Sequence, residues 1–317
     1  MDEKKFIITK IAWLYYISNC TQQEIADELN LSRTKVTRYL QQAKDLGIVK
    51  VSVSLDYGFC FDKEAMLKDA LGLTKVSVVP SSSNNTEGEN GLGVAGALRM
   101  NNLLSESDIV GAAWGKSLYS VAKNLKPIKQ KDGKQIQVVQ LMGGLSISDK
   151  FNPEEVVKMI TNRLGAQGNW MNMPAIVSSK EAKDILMNDD MIAHVFNRTK
   201  TCTVCMLGIG DLTETSSLYL TGSFTRQDLD ELNKAGAVGD IISRPFNIDG
   251  VPIHTSLTDR IMAISLEEIK KIPKRIAFAV GKKKIKPIIG AARGGYINEL
   301  VTDEETADGI KRYLDAH

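Results

Sequence analysis

The apolar positions of this chain follow two different periods. Over the first fifty residues they recur three and four apart: Ile7, Ile8, Ile11, Leu14 and Tyr15 fall on one helical stripe, which Asn19 and Cys20 interrupt. Thr21-Gln22-Gln23-Glu24 then reads as a capping box, the threonine hydroxyl accepting from the amide three residues on while Glu24 reaches back. It opens a short helix with Ile25, Ala26 and Leu29 inward. After a tight turn at Asn30-Leu31, Ser32 caps a third helix whose buried stripe is Val36, Leu40 and Ala43, and Gly47 suits the left-handed conformation that ends it. Residues 48–53 alternate apolar and polar, as the wing of a winged helix would.

Beyond Leu55 the pattern changes to strands alternating with helices. Residues 56–61 connect to a helix over 62–71, 75–79 is a strand, 80–90 a polar loop, and 91–104 a helix with Leu92, Ala95, Leu98 and Leu103 inward. Further strands are predicted at 108–113, 136–141, 203–207, 239–242, 275–280 and 296–301. Helices are predicted at 116–125 and 304–314 and between most of the remaining strands. The fold class is therefore α/β: a winged helix-turn-helix domain over 1–55, then a domain over 56–317 built on a mainly parallel sheet covered on both faces.

Composition changes this picture little. Of 317 residues 43% are apolar and 25% charged, ordinary globular usage that excludes a disordered or fibrous chain. The net charge of +2 is too small for a polybasic coat, but its placement is informative. Residues 1–55 hold eight Lys/Arg against six Asp/Glu, and the remainder holds 32 of each. Four cysteines make no disulfide scaffold, and no apolar run approaches the ~20 residues that span a bilayer. The apolar stretch 6–17 is broken by Lys10 and lacks a small-residue cleavage site, so no signal peptide is read there. A cytoplasmic protein with no membrane partner is expected.

The excess positive charge lies on the third helix. Two short helices joined by a tight turn, the second carrying Arg, Thr, Lys and Gln outward, make a helix-turn-helix. Arg forks onto guanine, Gln onto adenine, and Thr reaches phosphate or a thymine methyl. The candidate DNA contacts are Thr21, Gln22, Ser32, Arg33, Thr34, Lys35, Thr37 and Arg38, with Gln41 and Gln42 on the same outward face. Lys50 on the wing is either a phosphate contact or a solvated edge-strand lysine.

Ligands on parallel sheets sit where strands lead into helices. Gly111-Ala-Ala-Trp114-Gly115-Lys116-Ser117 is such a place: it follows a strand, opens a helix, and offers free amides with Lys116 and Ser117 as added donors for an anion. Only three residues separate Gly111 from Gly115, so it is not a Walker loop. Gly143-Gly144-Leu145-Ser146, Gly208-Ile-Gly210-Asp211 and Gly239-Asp240 are read as three further strand-end loops. Of Lys282-Lys283-Lys284, one is expected to face the site.

Three motifs are set aside. Gly91-Leu-Gly93-Val-Ala-Gly96 spells a dinucleotide fingerprint but follows a polar loop rather than a strand. Cys202 and Cys205 enter a strand with no second cysteine pair, so they are structural rather than metal ligands. His194, His254 and His317 have no spacing to a nucleophile or metal ligand. No catalytic residue, metal or cofactor is expected.

The stretch Thr21-Gln-Gln-Glu-Ile-Ala-Asp-Glu-Leu29 and Leu31-Ser-Arg-Thr-Lys-Val-Thr-Arg-Tyr-Leu40, just after Leu14-Tyr15-Tyr16, resembles the sorbitol-operon (SorC) family of bacterial transcription regulators. So do Trp114-Gly-Lys-Ser117, Val238-Gly-Asp-Ile241, Lys284-Ile-Lys-Pro-Ile-Ile-Gly-Ala291 and Leu300-Val-Thr-Asp-Glu-Glu-Thr-Ala307, in order over nearly the whole chain. The resemblance implies a large domain with the fold of glucosamine-6-phosphate deaminase and ribose-5-phosphate isomerase that senses a phosphorylated sugar. It implies a dimer or homotetramer bound to double-stranded operator DNA. By this resemblance the anion loop is Gly115, Lys116 and Ser117 and the acidic and lysine contacts are Asp240 and Lys284; with Gly143, Gly144, Gly208 and Gly210 of the strand-end loops and Phe246, these are the candidate effector residues. Where many members have Arg, two aromatics and Asp, this chain reads Arg244-Pro245-Phe246-Asn247, expected to reshape the side of the pocket that reads hydroxyls. Two rivals stand beside a regulator of a carbohydrate operon. One is a sugar-phosphate isomerase or deaminase with an accessory DNA-binding segment; the other is a DNA-binding protein whose large domain only assembles.

Overall fold

Three helices, α1 (Glu3–Tyr16), α2 (Gln22–Glu28) and α3 (Arg33–Asp45), build the first of two units, Met1–Gly58, in the computed structural model. The residues described are 3–49, 58–81, 85–129, 135–145 and 150–317. The helix caps are those read from the sequence. The Thr21 hydroxyl accepts from the Glu24 amide and the Glu24 carboxylate accepts from the Thr21 amide, while Ser32 Oγ accepts from the Lys35 amide. Each such cap contributes about 1 kcal/mol. Ile8, Ile11 and Leu14 of α1, Ile25 and Ala26 of α2, and Val36, Leu40 and Ala43 of α3 are buried. Gly47 takes the left-handed conformation at φ +68°. From Lys50 onward the expected wing lies outside the described residues.

The second unit, Phe59–His317, is layered α/β. Its strands are β1 (Lys75–Val79), β2 (Ile109–Ala112), β3 (Gln137–Gln140), β4 (Gln167–Asn169), β5 (Val204–Gly208), β6 (Gly210–Asp211), β7 (Ala237–Ile241), β8 (Arg244–Asn247), β9 (Lys274–Phe278) and β10 (Glu299–Asp303). Seven of them form one parallel sheet in the order β1-β10-β9-β5-β2-β3-β4. The central strands are covered on both faces, which is why Val204-Cys-Met-Leu207 is a continuous buried run rather than an alternating one. Helices α4 (Gly58–Ala70), α5 (Asn85–Leu103), α6 (Lys116–Asn124) and α7 (Pro153–Leu164) belong to its first half. From β2 the chain proceeds to β3 and β4 on one side, then returns to β5 and β9 on the other. The carboxyl ends of β2 and β5 therefore flank a topological switch point, where parallel sheets open a crevice.

Several predicted elements moved. Residues 239–242 do not extend the parallel sheet: β7 is the centre of a separate antiparallel sheet, β6-β7-β8. Gly239-Asp240 is therefore inside a strand rather than in a connecting loop. The predicted loop 80–90 overlaps α5, which begins at Asn85, because residues 85–90 offer no apolar residue to reveal a helical period. The strand predicted at 296–301 is shifted to Glu299–Asp303, with Tyr296 and Ile297 buried ahead of it. Leu98 points outward, at 62% exposure. Gly93 and Gly96 instead face inward on α5, where a Cβ would run into the Ser120 carbonyl and the rings and methyls of Phe278 and Val121. The glycines of the apparent dinucleotide fingerprint thus permit close helix packing. A bidentate pair, Arg99 Nε and Nη2 each 2.6 Å from Glu299, ties α5 to β10.

Candidate functional site

The first unit presents one polar face. Arg33, Thr34, Lys35, Thr37 and Arg38 are exposed on α3, with Thr21 and Ser32 exposed at the two caps and Gln22 half-buried. Thr37 donates to Gln22 Oε1 at 2.8 Å, so the second helix steadies a side chain of the third. Lys35 and Arg38 both lie 5.9 Å from the centre of the Tyr39 ring, which holds two cations on one side of the helix.

The second unit opens a pocket of about 170 Å³ at the switch point. The β2–α6 loop supplies Trp114, Gly115, Lys116 and Ser117, the end of β5 supplies Gly208 and Ile209, and β6 supplies Gly210 and Asp211. Asp240 and Ile242 come from β7 and its following turn, and Lys284 from beyond β9. Gly115 (φ +105°) starts α6 without a side-chain cap, so the first amides of that nine-residue helix, whose Lys116 and Ser117 line the pocket, have no side-chain acceptor. Gly210 is required by contact: a Cβ there would collide with the Asp240 carboxylate.

Three charged groups define the floor. Lys284 Nζ donates to Asp211 Oδ2 at 2.7 Å. Burial pushes the Asp211 carboxyl up, but the Lys284 charge and hydrogen bond, with that of Thr213, outweigh it and hold it below the usual carboxylate range. Asp240 is 3% exposed. Its Oδ2 accepts from the Ser243 amide at 2.9 Å, whereas its Oδ1 is buried without a hydrogen-bond partner. Burial, only partly offset by Lys284 and the Ser243 amide, raises its carboxyl to about 6. A carboxylate oxygen left dry and unpaired is costly unless something else donates to it.

The pocket gathers Gly115, Lys116, Ser117, Gly208, Gly210, Asp240 and Lys284 from the sequence reading, and Lys284 is the lysine of its triplet that turns inward. Gly143, Gly144 and Phe246 are not among its lining residues. The Gly143 and Gly144 amides are already committed, to the Met262 and Met173 carbonyls at 2.8 Å each, so that loop is stitched into neighbouring backbone and offers no free donors. Ser146 lies outside the described residues. Phe246 is fully buried against Tyr296, with ring centres 5.5 Å apart. Nor does the rest of Arg244-Pro245-Phe246-Asn247 line the pocket. Arg244 donates to the carbonyls of Thr258, Ile261, Ala263 and Ile264, and Asn247 Oδ1 accepts from the Asp249 and Val251 amides. These residues brace the β8 side of the small sheet. Among the pocket residues that the predicted effector set lacked are Asp211, Ile242 and the pair Ser216 and Ser217. Asp211 had a signal, a carboxylate directly after the Gly208–Gly210 turn; Ile242 had none. Burial raises the Cys202 thiol to about 12, as fits a structural cysteine. Among the described residues, no cluster of His, Cys, Asp or Glu could hold a metal ion, and no helix is long and apolar enough to cross a membrane.

Two family matches cover this architecture: residues 18–50 match the winged helix-turn-helix DNA-binding family, and residues 56–310 the "Putative sugar-binding domain". The sorbitol operon regulator of Klebsiella pneumoniae is 30% identical over 306 residues, 95% of this chain and 96% of that protein. The chain belongs to the SorC family. The deoxyribonucleoside regulator of Bacillus subtilis is likewise 30% identical, over 97% of this chain and 98% of its own length. The crystal structure of full-length SorC from K. pneumoniae matches with a TM-score of 0.75 at 28% identity, covering 98% of this chain and 99% of that one. As a SorC-family member the protein is a DNA-binding transcription regulator with a sugar-binding domain. These relatives are regulators rather than enzymes, and the reading of an isomerase or deaminase with an accessory DNA-binding segment is not favoured.

Proposed function

We propose that this regulator controls a carbohydrate-use operon in response to a phosphorylated sugar held in the switch-point pocket. The observation that carries the reading is the pairing, in one cavity, of an uncapped helix start beside Lys116 with the buried, unpartnered oxygen of Asp240. The first arrangement suits a phosphate: amides of Lys116 and Ser117, the Lys116 ammonium and the closely approaching backbone of Gly115 and Gly208. The second suits a sugar hydroxyl, which donates to Asp240 while the Asp211–Lys284 pair fixes the neighbouring charge. Amide and lysine donors together with a carboxylate in one small pocket select a molecule that carries both an anionic group and hydroxyls.

On the DNA side, two copies of the first unit would place α3 in successive major grooves of a roughly palindromic operator, within a dimer or tetramer. Thr21, Gln22, Ser32, Arg33, Thr34, Lys35, Thr37 and Arg38 are the proposed contacts. The effector controls this binding only through unequal affinity for the DNA-competent and DNA-incompetent forms. A thermal-shift screen of phosphorylated sugars against their unphosphorylated counterparts tests the reading, since a ligand of the folded state raises stability. Stabilisation by the phosphorylated member of a pair supports it. Equal response to both members, or response to neither, overturns it.

A further inference from the structure

The hairpin that carries Asp240 turns in an unusual way. Ile241 of β7 pairs with Arg244 of β8, which leaves Ile242 and Ser243 as a two-residue connection with φ of +49° and +63°. Positive φ at both positions is the geometry of a type I′ turn, which favours Asn-Gly, Asp-Gly or Gly-Gly. A β-branched residue crowds its own backbone there. Among the described non-glycine residues with positive φ, the other two are Asn19 and Asn30, and asparagine tolerates this conformation. Ile242 therefore stands where local backbone preference selects against it. It is also 2% exposed and lines the pocket together with Asp240, Gly210 and Lys284.

The turn does a second thing at the same place. The Ser243 amide fixes one Asp240 oxygen, and the other is buried without a partner against Gly210, behind the pocket wall that Ile242 forms. A branched apolar wall cannot hydrogen-bond a ligand, so a ligand hydroxyl pressed against it would lose its water without replacement.

Resting on the pocket reading above, we infer that Ile242 is a specificity-determining residue, held in strained backbone so that its side chain forms the apolar wall beside Asp240 and sorts sugar phosphates by which of their carbons carry hydroxyls. The anion end of the pocket does not depend on it.

Three variants test this: Ile242→Asn, Ile242→Thr and Ile242→Val. Their unliganded melting temperatures, and their half-saturation by inorganic phosphate, ribose 5-phosphate, glucose 6-phosphate and fructose 6-phosphate, are read by thermal shift against the unsubstituted protein. Asn and Thr both place a polar group in the apolar wall, but only Asn suits left-handed backbone, so Ile242→Asn should melt about 2–5 °C above Ile242→Thr. Half-saturation by inorganic phosphate should stay within about twofold in all three. The preference among the three sugar phosphates should shrink or reorder by about tenfold in Asn and Thr and survive in Val. Asn melting no higher than Thr, or an unchanged preference in both polar variants, overturns the inference while leaving the phosphate site standing. An unsubstituted protein that responds neither to inorganic phosphate nor to any phosphorylated sugar of the screen above overturns both.

Discussion

The sharpest energetic consequence of the pocket is the pH behaviour of Asp240→Asn. In the folded chain the Asp240 carboxyl titrates near 6 because it is buried, against an ordinary value of 3.8. Below the ordinary value it is neutral in both folded and unfolded states and costs nothing. As pH rises through 6 the folded protein must bury a charge that the unfolded chain exposes freely to water. Stability from this group is thus present at low pH and lost as pH climbs through the folded value. A gap of about two pH units corresponds to about 3 kcal/mol. Asparagine keeps the shape and the bond from the Ser243 amide but never ionises. Part of that is already lost at pH 4, where the unfolded carboxyl is more than half ionised. Whatever constant offset the amide introduces, the stability of Asp240→Asn relative to the unsubstituted protein should therefore rise by about 2 kcal/mol between pH 4 and pH 7.5. In melting temperature that is about 4–8 °C for a unit of this size. Calorimetry of the ligand-free proteins across that range measures it. A difference that stays flat with pH, or that falls as pH rises, would refute the claim that this carboxylate is buried with one oxygen unpaired.

Other variants separate the remaining roles. Lys116→Ala should weaken stabilisation by phosphorylated sugars by tenfold or more while shifting the ligand-free melting temperature little, since the side chain is exposed; an unchanged dose response would place the phosphate elsewhere. Arg38→Ala should weaken operator binding and lower the magnitude of its log–log salt slope by about one, with effector affinity intact; equal loss of both, by gel shift and thermal shift, would contradict separate modules. Arg244→Met should destabilise the second unit by about 3 kcal/mol or more, because four carbonyls lose their donor; denaturation without such a loss would show that the guanidinium does not brace that segment.

How much was legible varies with the kind of residue. Thr21, Ser32 and Gly47 were readable because caps and left-handed glycines act within a few residues of chain. The parallel strands were readable because burial on both faces leaves runs such as Val204–Leu207. Gly115, Lys116 and Ser117 were readable because a glycine turn at a strand end followed by a helix start is itself a local motif. Gly143 and Gly144 spelled the same kind of signal, yet their amides were claimed by Met262 and Met173, partners distant in sequence. The Asp211–Lys284 pair spans 73 residues and has no local signature.

Sequence by itself determined what neighbours along the chain can enforce: three capped helices with a basic outward face, the alternation of strand and helix, and a glycine turn with its lysine. Tertiary structure alone decided which of the candidate loops converge, since only strand order puts the ends of β2 and β5 beside a switch point. It decided, too, that Asp240 is dry and that Ile242 bends against its own preference, because burial and strain are properties of packed surroundings that no single stretch of chain contains.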